Sequence, residues 1–473
     1  MTWWKRRTGE PEPRETGSRS RTRLLAAAGI AVVVAGAGAL AATGALASGG
    51  GGAAPARAPA SPVRTSPGVR NGTASPVAPG GGLTPAQVRA AYGLPALTSL
   101  TGPGLLKGIT GKGETIVLVD SFGSPTIAAD LVHFDKFFGV PAPPSFRVIQ
   151  PAGPVPAYHP GNSNRAGWAA ETTLDVEWAH VMAPGARLVL VETPTSENEG
   201  TTGFPQIVTA EEYVLRHKLG QVISQSFAAT EQTFPARSHY AAIRNLRGAY
   251  QLAYRDHVTV LSATGDEGAT SFRYNMVDLY TTRAVSWPST DPLVTAVGGT
   301  QLDLTASGAR KAPDVAWNGS GGGRSLVFGR PAYQDSVKGL TGSYRGVPDI
   351  SMDASCASSV AIYGSFYPGR RGQWSPICGT SLATPLFAGV VALADQYAGH
   401  SLGLINPALY RLEAEHARGI VDITSGNNTE HFSQNGKRYT VHGFSAVAGY
   451  DLVSGVGTVD APYFVPELAK AAG

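Results

Sequence analysis

The sequence predicts an α/β fold, in which a mainly parallel sheet carries helices on both of its faces. The first observation is that short apolar runs, typical of buried strands, alternate along the chain with longer stretches of helical periodicity. This alternation is typical of parallel sheets, because each crossover places a helix on one face. The second observation is that Asp120, Ser226 and Asp266 each stand at or just after the end of a predicted strand. Sites form at the carboxyl ends of parallel strands, so these side chains are candidates for function.

The predicted elements follow one another from residue 83 onward. Thr84 and Gln87 form a capping box at the first helix, Pro85 takes its first position, and Gly93 ends it. The predicted strands cover residues 115–119, 146–149, 187–192, 222–226, 258–262 and 294–300. The predicted helices between them cover residues 127–138, 171–180, 208–218 and 236–256. Glycine-rich short strands follow, and after the helix that contains Ser381 we expect a loop-rich tail.

The chain before residue 83 has three segments of distinct composition. Residues 1–23 hold seven Lys or Arg against three Glu, and the rest of the chain is balanced, so the net charge of +4 gives no support to nucleic-acid binding. Residues 24–47 are uncharged, with Thr43 as their one polar side chain, and are long enough to cross a bilayer. We expect a cleaved export signal or, alternatively, a membrane anchor, with residues 83–473 outside in both cases. Residues 48–82, rich in Gly, Ala, Pro and Ser, are predicted to be a flexible linker.

The two cysteines, Cys356 and Cys378, fit an oxidising compartment. A disulfide between them would brace the segment that leads to Ser381. Two buried free thiols are the alternative, and the sequence leaves both open.

Ser381 is the first candidate for chemistry. It lies in Gly379-Thr380-Ser381, directly before an apolar helical pattern, and Pro385 is tolerable only if the helix has just begun. Backbone N–H groups at a helix N-terminus favour developing negative charge, so a serine held there is a candidate nucleophile. The simpler alternative is that Ser381 is only the N-cap residue.

A serine nucleophile needs an adjacent base, and no histidine of this chain stands in a motif that indicates one. His159 and His180 are predicted to be surface or packing residues. Glu171 and Asp175 have the spacing i, i+4 on a predicted helix, which places both carboxylates on one face. If both are half-buried, they share a proton, and one of them acts as a general base in acid. A solvent-exposed acidic helix face is the alternative.

A third acid, Asp266, follows a predicted strand in the run Gly265-Asp266-Glu267. If its carboxyl is protonated, it could donate a hydrogen bond to an oxyanion. The alternative is a turn aspartate that caps its own loop.

Taken together, these residues resemble the sedolisins, a family of serine-carboxyl peptidases with a subtilisin-like fold. The likeness covers about residues 84–470, and its motifs are specific only in combination. They are Gly379-Thr380-Ser381 with Thr384-Pro385, Glu171-x-x-x-Asp175 followed by Ala183-Pro184, Gly265-Asp266, Val297-Gly298-Gly299-Thr300, Pro348-Asp349-Ile350-Ser351 and Asn406-Pro407. The resemblance implies a subtilisin-like three-layer α/β/α architecture with a mainly parallel sheet over residues 83–473.

The resemblance also assigns a role to each candidate. It implies that Ser381 is the nucleophile, that Glu171 is its general base, and that Asp175 orients and tunes Glu171. Asp266 would be the oxyanion donor. Asp120 would be an outer carboxylate of the same hydrogen-bond network.

Two binding sites are implied by the same resemblance. The segment Ser226-Phe227-Ala228 looks like the edge strand that pairs with the substrate backbone. One Ca²⁺ ion is expected near the C-terminus, where oxygen ligands with two carboxylates suit that ion. The matching positions are the carboxylates of Asp422 and Asp451 and the backbone carbonyls of Ile423, Val447 and Gly449. Val447 stands where the family favours glycine.

These expectations combine into one function, an exported serine endopeptidase that works in acid. We expect a monomer that acts on protein or peptide substrates and touches the membrane only through residues 24–47, if these are retained. One alternative is a non-catalytic, surface-tethered protein that binds peptides on a peptidase fold. Another is a histidine-based subtilisin, active at neutral to alkaline pH.

Two departures from the family pattern accompany the resemblance. The family usually carries a large folded pro-domain between signal and peptidase, where this chain has the linker at residues 48–82. Glu267 follows Asp266 where a small or neutral residue is usual. An extra charge there could shift the pKa of Asp266 or narrow the pocket.

Overall fold

The structure is a computed structural model that describes residues 80–100, 104–236, 240–367 and 372–473. The predicted basic segment, the export signal or anchor and nearly all of the predicted linker lie outside these residues. Within the described ranges, no helix combines the length and apolar character that a membrane crossing requires.

The described residues form ten α-helices, four 3₁₀ helices and eighteen strands. The α-helices are α1 Pro85–Ala91, α2 Ile127–Phe138, α3 Ser163–Met182, α4 Phe204–Arg216, α5 Ala241–Asn245, α6 Gly248–Arg255, α7 Lys338–Thr341, α8 Thr380–Ala398, α9 Asn406–Ala414 and α10 Ala461–Ala472. The 3₁₀ helices are Leu97–Ser99, Glu231–Thr233, Ala332–Val337 and Cys356–Ser358. The strands are β1 Thr115–Ser121, β2 Phe146–Ile149, β3 Arg187–Thr193, β4 Val222–Gln225, β5 Ala229–Thr230, β6 Thr259–Ala263, β7 Ser286–Trp287, β8 Thr295–Gln301, β9 Val315–Ala316, β10 Gly323–Gly329, β11 Tyr344–Val347, β12 Ile350–Asp353, β13 Val360–Gly364, β14 Gln373–Ile377, β15 Ile420–Val421, β16 Glu430–Gln434, β17 Lys437–Val441 and β18 Thr458–Val459.

The central sheet has eight strands in the order β12-β8-β6-β4-β1-β3-β2, with β9 paired to β8. Every pairing along that order is parallel, and the pairing of β9 with β8 is antiparallel. The predicted mainly parallel sheet is therefore confirmed. The carboxyl ends of β1, β4 and β6 lie side by side, since these three strands are neighbours.

Helices cover both faces of this sheet, and the strands supply apolar side chains to each layer. In β1, Ile116 and Leu118 belong to the core that also contains α3 and α8, whereas Val117 and Val119 belong to the core that contains α4 and α6. This division follows from the strand geometry, because successive side chains point to opposite faces. The three-layer α/β/α architecture predicted from the resemblance is confirmed.

The predicted elements are largely confirmed, with shifted ends. The capping box of Thr84 and Gln87 is present at α1. The predicted helix at 171–180 begins earlier, at Ser163, because Asn162 caps it by accepting the N–H of Arg165 at 3.1 Å. The single helix predicted at 236–256 was wrong. In the described residues of that span the chain forms α5 and α6, separated at residues 246–247.

The predicted loop-rich tail was also wrong, because α9, α10 and the hairpin of β16 and β17 lie there. Phe464, Val465 and Leu468 in α10 are fully buried in the core shared with α8. These three positions have helical spacing, but Pro466 interrupts the pattern within the helix and masks it in the sequence.

Two of the sequence motifs, those that contain Asp349 and Asn406, have a structural role. They lie away from the carboxyl ends of β1, β4 and β6. Asp349, between β11 and β12, is fully buried and accepts hydrogen bonds from Arg345 at 2.7 Å, from the Ala296 N–H at 2.8 Å and from the Tyr410 hydroxyl at 2.8 Å. Asn406, the first residue of α9, donates to the Val294 carbonyl at 3.0 Å. Together they fasten β8, β11 and α9 to one another.

The two cysteines form a disulfide, with their Cα atoms 4.9 Å apart. The alternative of two free thiols is therefore wrong. The bond ties the turn after β12 to Cys378, three residues before Ser381, so it braces the approach to α8 as expected.

Candidate active site

Ser381 is the second residue of α8, at the helix N-terminus as predicted. The N-cap residue is Gly379, so the alternative reading of Ser381 as an N-cap is wrong. Gly379 has φ +122°, a conformation that side-chain-bearing residues rarely adopt, and a Cβ on it would lie 2.6 Å from Oδ2 of Asp266. Glycine is required there on both grounds. Ser381 is 7% exposed and lines a cleft, so its hydroxyl can be reached from solvent.

Pro385 lies inside α8, beyond the first turn, and the prediction that the helix has only just begun there was wrong. In an α-helix the N–H of residue 385 would bond to the carbonyl of Ser381, and proline has no N–H to give. Oγ of Ser226 lies 3.3 Å from that carbonyl oxygen, and its single hydrogen is shared between this carbonyl and the nearer Oδ1 of Asp175. A side chain from the end of β4 thus partly replaces the missing helix hydrogen bond.

Glu171 and Asp175 lie on α3, which packs against α8, and both side chains are buried. The alternative of a solvent-exposed acidic face is therefore wrong. Burial raises the pKa of Glu171 well above its ordinary value, a hydrogen bond with Ser381 opposes that shift, and the charges of Asp120 and Asp266 add to it. Among the described residues, Ser381 is the one polar group that lowers the pKa of Glu171, so the two side chains are neighbours, as a serine nucleophile and its base must be.

Asp175 is held by the Ser226 hydroxyl, whose Oγ lies 2.9 Å from its Oδ1. Burial, followed by the charges of Asp120 and Glu171, raises the pKa of Asp175 well above its ordinary value. Asp175 is therefore one of several buried acids that act on one another behind Ser381.

Asp120 lies near the end of β1 and is buried, as the sequence predicts for a polar residue at that edge. Burial, followed by the charge of Glu192, raises its pKa to about 8. Its charge acts on Asp175 and on Glu171, so it belongs to the group of carboxyls behind Ser381.

Asp266 lies in the loop after β6 and faces α8 from the other side of the cleft. Its Oδ1 accepts hydrogen bonds from the N–H of Thr380 at 2.7 Å and from the Thr380 hydroxyl at 2.9 Å. Burial raises the pKa of Asp266 to about 6, and these two bonds oppose the shift. Asp266 therefore bonds to α8 rather than capping its own loop, and the turn-aspartate alternative is wrong.

Comparison with known proteins decides the family. A model of the subtilase family matches residues 163–437, more than half of the chain, and this span includes Ser381, Glu171, Asp175 and Asp266. Kumamolisin from Bacillus sp. (strain MN-32) is 31% identical over 372 residues, which are 76% of this chain and 59% of kumamolisin. The chain belongs to the sedolisin family of subtilases.

Other similar proteins also support membership of the sedolisin family. Tripeptidyl-peptidase sed4 of Aspergillus fumigatus is 32% identical over 387 residues, which are 70% of this chain and 59% of that protein. The solved structure of Pseudomonas sedolisin, a serine-carboxyl proteinase complexed with two molecules of pseudo-iodotyrostatin, superposes with a TM-score of 0.64 at 24% identity, covering 81% of this chain and 97% of that one. That likeness supports the fold. The chain spans about three fifths of the length of kumamolisin and of sed4.

The segment Ser226-Phe227-Ala228 of this sedolisin-family chain lines the cleft beside Ser381. It is not a strand, because β4 ends at Gln225 and β5 begins at Ala229, so the predicted edge strand is replaced by an irregular connection. Ser226 is diverted to Asp175 and to the Ser381 carbonyl, and the ring of Phe227 packs into the core against Phe204.

Glu267, the departure noted beside Asp266, also lines the cleft. Its Oε2 accepts the N–H of Asp266 at 3.1 Å. Burial, followed by the charge of Asp266, raises the pKa of Glu267 to about 8. At the pH values where Asp266 is neutral, Glu267 is neutral as well.

The histidines in the described part of the chain lie away from the cleft lining, which argues against a histidine-based subtilisin. His159 is exposed, and His180 is buried, with its Nε2 2.9 Å from the Pro141 carbonyl and 3.4 Å from Asp135. Both are surface or packing residues, as predicted.

Four of the five residues predicted to hold calcium, Asp422, Val447, Gly449 and Asp451, lie around one turn, and Ile423 follows Asp422 in the chain. Oδ2 of Asp422 accepts the N–H of Gly449 at 2.9 Å, and Oδ2 of Asp451 accepts the N–H of Val447 at 3.1 Å, so both carboxylates reach the turn at residues 447–449. Among the described residues, no group of three or more His, Cys, Asp or Glu side chains is placed to hold a metal. A cation here would need backbone carbonyls besides its two carboxylates, and such an all-oxygen donor set fits Ca²⁺.

Sequence reasoning missed several residues of the site. Thr380, which holds Asp266, carries no signal beyond its place before Ser381. Glu197 and Glu199, which line the cleft, lie in the loop between β3 and α4, and two acids so close together in an uncharged loop are the one signal that could have drawn attention to them.

Proposed function

We propose that this chain is a serine-carboxyl endopeptidase that hydrolyses peptide bonds in acid. One observation carries the proposal. A buried glutamate, Glu171, neighbours Ser381 at a helix N-terminus, while Asp266 and Ser381 line the same cleft. Membership of the sedolisin family supports it, since relatives are named as a serine-carboxyl proteinase and as tripeptidyl-peptidases.

In the proposed mechanism Ser381 attacks the scissile carbonyl carbon while Glu171 takes the proton from the hydroxyl. Glu171 then gives that proton to the leaving amine, which departs as the acyl-enzyme forms. A water molecule, deprotonated by Glu171, hydrolyses the acyl-enzyme and regenerates Ser381.

The oxyanion of the tetrahedral intermediate needs donors in a position where negative charge develops. The N–H of Ser381 lies in the first turn of α8, where the helix dipole also favours an anion. Asp266 supplies a second donor only when its carboxyl is protonated. Since burial raises its pKa to about 6, that form is available in acid and is lost above pH 6. This is why we propose an acid peptidase.

The remaining expectations stay part of the proposal. The enzyme is exported as a monomer, either released after cleavage or anchored by residues 24–47. One Ca²⁺ ion, held by Asp422, Asp451 and the carbonyls of the loop near Gly449, stabilises the C-terminal part of the domain. The paired cysteines, joined in a disulfide, are consistent with export.

The test is a pH–rate profile on an unstructured protein substrate. We expect cleavage in acid, a fall of about 10⁴-fold or more in Ser381→Ala and Glu171→Ala, and a fall of about 10²- to 10³-fold in Asp266→Ala, with near-native circular dichroism in all three. Glu415→Gln, an exposed glutamate on the surface, is the control. Wild-type protein that binds peptides without cutting them at any pH would leave the non-catalytic alternative standing.

A further inference from the structure

One stretch of the chain supplies much of the wall of the cleft beside Ser381. We name residues 266–280, which follow β6, the cleft segment. Its residues that line the cleft are Asp266, Glu267, Ser271, Phe272 and Met276. The course of its backbone therefore contributes directly to the shape of the cleft.

The outer half of the cleft segment folds back on itself. Two backbone hydrogen bonds, of 2.7 Å and 2.9 Å, flank the antiparallel pair of Phe272 and Leu279. These bonds run from the N–H of Arg273 to the Asp278 carbonyl and from the N–H of Tyr280 to the Ser271 carbonyl. A pair that is flanked in this way makes no hydrogen bond of its own, so the N–H and the carbonyl of Leu279 point outward, away from Phe272.

The tip of the cleft segment has little burial to hold it in place. The side chains of Tyr274 and Val277 are 68% and 63% exposed. The tip also contacts the loop between β3 and α4, because a Cβ on Gly200 would lie 2.9 Å from the Tyr274 ring. That loop carries Glu199, which lines the cleft as well. A segment with so few buried side chains depends on its backbone hydrogen bonds for its order.

The hairpin of β16 and β17 fastens the inner end of the cleft segment. The carbonyl of Asn428, just before β16, accepts the N–H of Ala269 at 2.9 Å. Asn428 is fully buried, and its side chain donates to the Ser320 carbonyl at 3.0 Å and accepts the N–H of Phe444 at 2.7 Å. The base of the hairpin is therefore anchored close to the start of the cleft segment.

Gln434 fastens the outer end of the cleft segment. Its Oε1 accepts the N–H of Leu279 at 2.9 Å, and its Nε2 donates to the carbonyl of Leu279 at 3.1 Å. A side-chain amide has an acceptor and donors, as a peptide group has, so Gln434 takes the place of a further strand at the outward edge of Leu279. One side chain thus binds both backbone groups that the pairing with Phe272 leaves unused.

The hairpin itself keeps Gln434 in a fixed position. Gln434 is the last residue of β16, and the turn that follows, Asn435-Gly436, has φ angles of +53° and +72°, as a tight two-residue hairpin turn requires. Five cross-strand pairs join β16 to β17, and the rings of Phe432 and Tyr439 stack with their centroids 5.5 Å apart. Gln434 therefore extends from a well-ordered arm.

We propose that Gln434 is a positioning residue for substrate binding, which holds the cleft segment in the place where Phe272 and Met276 meet the substrate. Gln434 lies outside the cleft lining of the described structure, so it acts through Leu279 and the cleft segment. This proposal rests on the proposed peptidase function, because the cleft that it shapes is the same site.

The loss of Gln434 should affect binding rather than chemistry. Without its two hydrogen bonds the cleft segment is ordered for only part of the time, and a substrate that needs the ordered form binds more weakly by that fraction. Ser381 and Glu171 lie on α8 and α3, and Asp266 has its own hydrogen bonds to Thr380. The reacting groups therefore keep their geometry once the substrate is bound.

Hydrogen–deuterium exchange of the full chain, in the Ser381→Ala background to prevent self-cleavage, tests the contact without any catalysis. On addition of Gln434→Ala we expect the amides of residues 271–280 to exchange about tenfold faster or more, the effect of one or two lost hydrogen bonds, and those of the central sheet to be unchanged. Gln434→Leu, which keeps the bulk of the side chain without a polar atom, should behave in the same way. Gln251→Ala, at an exposed glutamine of α6, is the control.

The exchange data can overturn the proposal in two ways. Unchanged exchange of residues 271–280 in Gln434→Ala or in Gln434→Leu would show that the two hydrogen bonds do not hold the cleft segment. Equally faster exchange throughout the central sheet would show that Gln434 serves the stability of the whole domain and does not position one segment.

The second experiment measures the consequence for the substrate. On the unstructured protein substrate, KM should be about tenfold higher in Gln434→Ala, with kcat within about twofold of the wild type. Fluorescence anisotropy with the same substrate, labelled with fluorescein, should show the same loss of affinity in Ser381→Ala combined with Gln434→Ala, with Gln251→Ala again as the control. An unchanged affinity, or a fall in kcat alone, would overturn the proposal. Weaker binding by the variant when the wild type hydrolyses nothing would reject only the peptidase function and support the positioning role.

Discussion

Oγ of Ser226 lies 2.9 Å from Oδ1 of Asp175 and 3.3 Å from the carbonyl oxygen of Ser381. One side chain thus connects the carboxyl network on α3 with the backbone of the candidate nucleophile on α8. The connection exists because Pro385 withholds the N–H that would otherwise occupy the Ser381 carbonyl.

Replacing Ser226 with alanine should lower kcat with little change in KM. The variant removes the one hydroxyl hydrogen that Asp175 Oδ1 and the Ser381 carbonyl share, and the loss of a hydrogen bond to such a buried group is about 1.5–3 kcal/mol, or about 10- to 100-fold in rate. Steady-state kinetics at acidic pH measure it. Ser224→Ala is the matched control, since Ser224 is a buried serine of β4 whose Oγ has no partner in the described structure. Equal effects of the two substitutions would contradict a positioning role for Ser226.

Replacing Asp266 with asparagine should extend activity to higher pH. In the wild type the carboxyl is neutral and can donate below its pKa of about 6, and above it the carboxylate repels the oxyanion. An asparagine amide donates at every pH, so the fall in kcat/KM above pH 6 should shift upward in Asp266→Asn, even if the maximum rate is lower. The measurement is kcat/KM from pH 3 to 8. If kcat/KM fell over the same pH range in Asp266→Asn as in the wild type, a group other than Asp266 would cause the loss of activity above pH 6.

The free energy of unfolding of the wild-type protein should fall as the pH rises from the acidic range to pH 8. Burial raises the pKa of Glu211 to about 8, so the folded state holds a proton that the unfolded chain releases near its ordinary value. The stabilisation is complete below the unfolded-state pKa and is lost as the pH approaches the folded-state value. Asp120 and Asp395, whose pKa values burial also raises to about 8, contribute in the same direction.

The variant Glu211→Gln tests whether the ionisation of Glu211 lowers the stability as the pH rises. The amide is neutral at all pH values and can still accept the hydrogen bond from Gln225, so the fall in melting temperature between pH 5 and pH 8 should be smaller by about 2 °C or more. Calorimetry at the two pH values measures it. Glu212→Gln, the adjacent and more exposed residue of α4, should keep the wild-type slope. If the melting temperature fell equally steeply between pH 5 and pH 8 in both variants, Glu211 would not be a cause of the loss of stability.

A calcium chelator should lower the melting temperature of the wild type by several degrees, because an ion that binds only the folded state stabilises it. In Asp451→Asn the chelator should have no effect, and the melting temperature should already be low. Glu415→Gln should respond like the wild type. A chelator without effect on the wild type would argue against the site at Asp422 and Asp451.

The sequence predicted the sheet well, because its strands are continuous apolar runs with polar residues at their ends. It also predicted the Ser381, Glu171 and Asp266 group, since these residues lie in local motifs. It could not predict that Ser226 bonds to Ser381 or that Thr380 holds Asp266, because these contacts join residues 155 and 114 positions apart. Nor could it show that Glu197 and Glu199 enter the cleft, since a loop between β3 and α4 has no periodicity that fixes the direction of its side chains.

The candidate catalytic groups are spread along the chain in a particular order. Glu171 and Asp175 come early on α3, Asp266 follows β6, and Ser381 arrives with α8, after all eight strands of the central sheet. During synthesis the nucleophile is therefore added after the whole sheet, and the contacts that align it require that sheet. If the proposed activity is correct, the cell that makes this protein is spared from incomplete copies with peptidase activity, and the appearance of activity reports that folding is complete.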